Sequence, residues 1–271
     1  MSAFIDMAWL QDHLDDPNVR IIEASIAKDT YDAAHIPGAR WVDFHRDLLL
    51  NGDDSSGGVI TPKQFAALMS RLGIAPDTTV VAYGDRHNSY AIRFFWTLDF
   101  YQHRGDAYVL EGGRERWLAE GRPMTNELPV AAASSYPEPK MSSNANRATW
   151  QEVRAAVDDA DAAILDVRSA AEYDGTSVRA ARGGHIPGAI NVEWTDSTAG
   201  DNVLKSEEEL RAMYESRGVT SDKAIIAHCQ LGIRAVHTWF VLKHVLGYPN
   251  VKNYDGSWQE WGNREDLPVE T

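Results

Sequence analysis

The chain repeats itself, and the repeat restricts what it can fold into more than any single motif does. "TPKQFAALMSRLGIAPDTTVVAYG" at 61–84 lies over "SEEELRAMYESRGVTSDKAIIAHC" at 206–229 without a gap, at a constant offset of 145 residues. "AHIPGA" (34–39) returns as "GHIPGA" (184–189), and "LEGGRERW" (110–117) lies over "YDGSWQEW" (254–261). In each copy a capping box opens a helix, Thr61 with Gln64 and Ser206 with Glu209, and the first adds Pro62 at N1. Each helix stops at a glycine, Gly73 or Gly218, and leads into an apolar strand at 79–83 or 224–228. Shared caps, stops and strands in one order mean an internal duplication.

The copies meet in "TNELPVAAASSYPEPKMSSNAN" (125–146), rich in Pro, Ser and Ala and without an amphipathic period, which reads as an extended linker. The expected domains are therefore 1–124 and 147–271, a comfortable division of 271 residues. Thr149 and Glu152 form another capping box and open the helix "WQEVRAAVDD". Helices then alternate with short apolar strands, "AAILDV", "AINVEW", "AIIAH" and "VKNY" in the second copy. That alternation predicts an α/β class, each domain a mainly parallel sheet flanked by helices, with ligands at the strands' carboxyl ends.

Charge and cysteine usage narrow the function. With 26 basic and 40 acidic side chains the net charge is −14, which argues against nucleic acid or an anionic membrane as the main partner. An anionic substrate must be drawn in by local positive potential. No segment approaches the roughly 18 consecutive apolar residues of a membrane span. The start "MSAFIDMAWLQDHLDD" has no basic region followed by an apolar stretch, so a cytoplasmic setting is expected. Cys229 is the sole cysteine, which excludes an intrachain disulfide and a cysteine-rich metal site.

That cysteine stands where the strand 224–228 ends. Ala235, Trp239, Leu242 and Leu246 recur at helical spacing, so the helix is expected to begin near Ala235 and to end at Gly247-Tyr248-Pro249. Cys229 to Arg234 is then a six-residue turn between a strand and a helix N-terminus. Amides converge inside such a turn and the helix dipole adds positive potential, both favouring the thiolate, which is the nucleophile. Gly232 permits backbone geometry that a side chain would hinder. The first copy aligns "GDRHNS" (84–89) with this loop and sets Gly84 against Cys229, so it keeps the scaffold without the nucleophile.

The tandem layout, both "HIPGA" turns, "LDVRSAAEY" (165–173), "YDGSWQEWGN" (254–263) and the Cys-Gln-Leu-Gly-Ile-Arg loop together resemble the two-domain rhodaneses, the thiosulfate sulfurtransferases. The resemblance implies a tandem pair of rhodanese-like domains, the first catalytically degenerate, with neither metal nor organic cofactor. It implies that Cys229 attacks the outer sulfur of a small anionic donor and carries it as a persulfide, which a thiol or cyanide acceptor removes. The amides of Gln230, Leu231, Gly232, Ile233 and Arg234 would cradle that sulfur. Relatives specialised for 3-mercaptopyruvate follow the cysteine with Gly, Ser or Thr, Gly, Val, Thr. This loop resembles instead the Cys-Arg-x-Gly-x-Arg loops of bacterial thiosulfate enzymes, with Gln230 in place of the first arginine. Animal enzymes set a donor-binding arginine where this chain has Glu172, so Arg179 and Arg182 are the replacement anion binders.

Structural roles compete with chemical ones at several positions. Arg234 is expected to face the donor, the other reading being a carboxylate partner that stiffens the loop. His228 adjoins Cys229 but points to the opposite face of its strand, so a core role is expected. His35 and His185 are expected to hold their turns, and Asp166 and Arg168 to form a structural pair. A cysteine phosphatase or arsenate reductase is the alternative enzyme class, since "HC…R" at a helix start is also their signature. Their loops place five residues between Cys and Arg, whereas four stand here. A non-catalytic binding module would leave the cysteine idle.

Overall fold

A computed structural model describes residues 3–50, 52, 58–130, 134–140, 146–199 and 203–271. Nearly all described residues up to 140 form one unit and nearly all from 146 onward form a second. The first unit's strands are β1 (Phe4–Ile5), β2 (Val19–Ser25), β3 (Arg40–Asp43), β4 (Thr79–Tyr83) and β5 (Ala107–Leu110). The second has β6 (Arg147–Ala148), β7 (Ala162–Asp166), β8 (Ile190–Asn191), β9 (Ala224–His228) and β10 (Val251–Tyr254). The sheet orders, β1-β5-β4-β2-β3 and β6-β10-β9-β7-β8, are the same topology twice, and every strand pairing in both is parallel.

The local signals work as read. The capping boxes at Thr61/Gln64, Thr149/Glu152 and Ser206/Glu209 all form, and Gly73 and Gly218 take φ of +64° and +81° just beyond their helices. Both "HIPGA" turns are built alike. His35 Nδ1 bonds Tyr31 O at 2.8 Å and His185 Nδ1 bonds Tyr173 O at 2.9 Å, each ring stacked on that tyrosine. Tyr31 and Tyr173 donate in turn to Ala39 O and Ala189 O, closing the turn from the other side.

Each unit has its own apolar core, one around Ile21, Val81, Leu110 and Trp117, the other around Ile164, Ile226, Tyr254 and Trp261. Of the stretch read as a linker, the described residues up to 140 form no helix or strand and lie against the first unit. Thr125 exchanges backbone bonds with His35, Ser134 Oγ donates to Ile74 O, and the Tyr136 ring meets Phe65 edge-on. Among the described residues no helix is long and apolar enough to cross a membrane.

Candidate active site

Cys229 is buried, 1% exposed, at the carboxyl end of the central strand β9. The helix that follows is Ile233–Phe240, so the turn proper is Cys229–Gly232 and both Ile233 and Arg234 lie in the first helical turn. The expected start at Ala235 is two residues late because a buried stripe marks only core-facing positions, and Ile233 and Arg234 are half-buried. Gly232 has φ +76°, and a Cβ there would meet Asp255 O at 2.9 Å, so the turn requires glycine.

The turn is fastened to the short helix Ser257–Trp261. Trp258 N donates to Cys229 O and Gln259 N to Gln230 O, both at 3.0 Å. Cys229 N donates to Ser257 Oγ at 3.1 Å. The amides of Gln230, Leu231, Gly232, Ile233 and Arg234 have no hydrogen-bond acceptor among the described residues. Two loop carbonyls are thus engaged by the neighbouring helix, while five successive donors stay unshared beside the thiol.

Arg234 pairs with a carboxylate, Glu172. Its Nη1 and Nη2 donate to Glu172 Oε2 and Oε1 at 2.7 and 2.9 Å, a bidentate clamp. Burial disfavours both charges and the pairing outweighs it: Glu172 is held down to about 2, and Arg234 is raised above its ordinary value. Arg179 is 56% exposed in its side chain and lies 3.6 Å from Glu172 Oε1. Gln230 Nε2 donates to Arg179 O and to Gln259 Oε1. Arg182 bonds the carbonyls of Trp261, Gly262, Arg264 and Leu267, and no hydrogen bond among the described residues joins it to the cysteine turn.

Beneath the turn, Arg168 donates to both Asp166 oxygens and to Gly184 O, with its guanidinium 4.4 Å over the Trp258 ring. This is the structural pair the sequence suggested. His228 is fully buried, and burial pushes its pKa down to about 4. Its Nε2 stays 3.6 Å from Asp166 Oδ2, and neither ring nitrogen has a hydrogen-bond partner among the described residues.

A family model described as "Rhodanese-like domain" matches residues 6–120 and again 149–264. The chain belongs to the rhodanese family. It is 44% identical to the sulfur carrier protein TtuD of Thermus thermophilus, over 98% of this chain and 96% of that one. It is 37% identical to the thiosulfate sulfurtransferase of Corynebacterium glutamicum, over 98% of this chain and 90% of that one. Among solved structures it resembles the anaerobic ergothioneine biosynthesis enzyme of Chlorobium limicola in complex with trimethyl histidine. There the TM-score is 0.86 and the identity 25%, over 99% of this chain and 70% of that chain.

The two rhodanese-like units share part of this loop and differ in the rest. Arg114 N donates to Gly84 O at 3.0 Å, matching Trp258 N on Cys229 O. In the first unit, however, a side chain enters the turn: Asn88 Oδ1 accepts from Gly84 N and Asn88 Nδ2 donates to Leu110 O. A Cβ at position 84 would sit 2.6 Å from Ala24 O, so backbone bars any side chain there. In the first unit the Asn88 side chain and Ala24 O thus crowd the position aligned with Cys229.

Sequence reading missed Glu172 and Ser257. Glu172 carried a signal, the capping box Ser169-x-x-Glu172, which forms here in addition to the clamp on Arg234. Ser257 carried a fainter one, a serine aligned with Gly113 of the other rhodanese repeat.

Proposed function

We propose that this rhodanese-family sulfurtransferase moves sulfane sulfur from thiosulfate to a thiophilic acceptor through a persulfide on Cys229. The Cys229 thiolate attacks the outer sulfur of the donor; a sulfur–sulfur bond forms, and sulfite leaves with the electron pair of the bond that breaks. A thiol or cyanide then takes the outer persulfide sulfur, and the pair from that bond returns to Cys229. No general base is required once the sulfur is ionised. With no second cysteine in the chain, the sulfur leaves only to an external acceptor.

The observation that carries this reading is the run of unshared amides, Gln230 to Arg234, that follows the chain's sole thiol into a helix N-terminus. In this reading those amides stabilise negative charge on the sulfur. Arg179, the most exposed cation at the turn, is the donor's first contact in this reading. Arg234, clamped by Glu172, supplies fixed charge from behind, and Arg182 braces the surrounding chain. Four residues between Cys229 and Arg234 favour a sulfur over a phosphoryl group.

Intact mass after incubation with thiosulfate is expected to show one added sulfur, lost on adding cyanide as thiocyanate appears. Cys229→Ser is expected to take up none. An unmodified protein that hydrolyses an aryl phosphate would overturn the reading, and steady-state preference for 3-mercaptopyruvate would reassign the donor. The likeness to a sulfur carrier protein favours a second reading for the acceptor, another protein's thiol in place of a small molecule. Transfer from persulfidated enzyme to protein thiols faster than to cyanide would support it.

A further inference from the structure

Ser257 breaks the repeat in a way that the proposed chemistry explains. It is fully buried with φ +50°, a left-handed conformation that side chains other than Gly, Asn and Asp seldom adopt. The aligned residue of the first unit is Gly113, with φ +57°. The backbone therefore makes the same turn twice, once with the residue suited to it and once with a residue that is strained there.

The hydroxyl accounts for the exception. Ser257 Oγ accepts the amide of Cys229 at 3.1 Å and donates to Tyr254 O at 2.8 Å. The first unit meets the same need with Asn88, whose Oδ1 accepts from Gly84 N at 3.0 Å. The two solutions exclude each other, because a Cβ at Gly113 would lie 2.5 Å from Asn88 Oδ1. At the constant offset of the repeat, Asn88 corresponds to Ile233, which cannot accept an amide proton. The unit with the cysteine thus caps the turn's first amide from the outside, through Ser257, and the unit without it caps from the inside, through a side chain that fills the turn.

We propose that Ser257 is a positioning residue for the Cys229 thiol: it anchors that residue's amide from behind and so fixes the sulfur's direction while leaving the turn open to a reactant. This rests on Cys229 being the reactive thiol. With Trp258 N on Cys229 O and Gln259 N on Gln230 O, the Ser257 bond ties down both polar groups of the Cys229 backbone. Loss of the hydroxyl frees the amide to rotate into the turn and the sulfur with it.

The test pairs Ser257→Gly with Ser257→Ala and reads two quantities that need no sulfur donor. One is the second-order rate of Cys229 alkylation by iodoacetamide; the other is the melting temperature. Both variants lose the hydroxyl, so both are expected to react about tenfold more slowly than the parent. Only glycine relieves the backbone, so Ser257→Gly is expected to melt a few degrees above Ser257→Ala, about 2–4 °C. Reactivity that follows melting temperature across the two variants would reduce Ser257 to a structural role and overturn the proposal. So would parental alkylation rates in both. Sulfur uptake by the parent, read by mass in parallel, stands or falls separately with the proposed reaction.

Discussion

Asp166 and His228 face each other across β7 and β9 at the register where β2 and β4 of the first unit set Glu23 against Tyr83. Each unit buries one carboxylate here and neutralises it with arginine, but the arginine comes from a different element. Arg114, from the helix Gly113–Ala119, reaches Glu23 at 2.9 Å, whereas Arg168, two residues along the chain, reaches Asp166. Trp258 occupies the aligned place of Arg114, and the Arg168 guanidinium lies over its ring. The duplicated scaffold has kept a paired carboxylate under the turn while exchanging its parts.

His228 is expected to remain neutral throughout the working range. Burial lowers its folded pKa to about 4, below the unfolded value near 6.5, so between those values the unfolded chain binds the extra proton. Its contribution to stability is therefore complete above pH 6.5 and is lost as the pH falls toward 4. Following the His228 ring carbon shifts by NMR against pH checks this; a midpoint near 6.5 would contradict it.

Asp166→Asn leaves the Arg168 guanidinium buried without its counter-charge and is expected to destabilise the protein by about 3–5 kcal/mol. Adding Arg168→Met removes the orphaned charge, and the double variant is expected to recover part of that loss. Denaturant melts of the two singles and the double close the cycle. A double variant no better than Asp166→Asn would mean that the pair acts through something other than charge.

Glu172 should account for part of the acid sensitivity. Its folded pKa of about 2 lies below the ordinary carboxylate value of 4.5, so its stabilising effect is present above 4.5 and fades as the pH drops toward 2. Glu172→Gln is expected to cost about 3 kcal/mol at neutral pH and little at pH 2. Stability curves of parent and variant should converge in acid. Parallel curves would show that the clamp on Arg234 does not carry the effect.

Restoring a cysteine to the first unit should not restore a site. Gly84→Cys forces a Cβ to within 2.6 Å of Ala24 O and is expected to destabilise that unit by about 1–3 kcal/mol. Sulfur uptake by this variant after thiosulfate is expected to stay at one atom per chain, all of it on Cys229. A second persulfide, on the thiol introduced in the first unit, would show in a stable variant that this turn still admits a sulfur donor.

The sequence by itself determined the duplication, the parallel α/β class, the capping boxes and the place of Cys229 at the end of a central strand. These are local properties: helix caps act within one turn, strands are marked by apolar runs, and a repeat offset carries the whole topology from one copy to the other. It also set Gly84 of the first copy against Cys229 of the second. Tertiary structure alone decided what Arg234 pairs with. Its partner Glu172 lies 62 residues away among 40 acidic side chains, and nothing in the linear pattern singles it out. Folding likewise decided that Arg182 bonds backbone carbonyls, that the described residues up to 140 of the stretch read as a linker pack on the first unit, and that Ser257 reaches the Cys229 amide. Those are distances between segments remote in the chain, fixed by how the sheet orders its strands and visible only once the chain is folded.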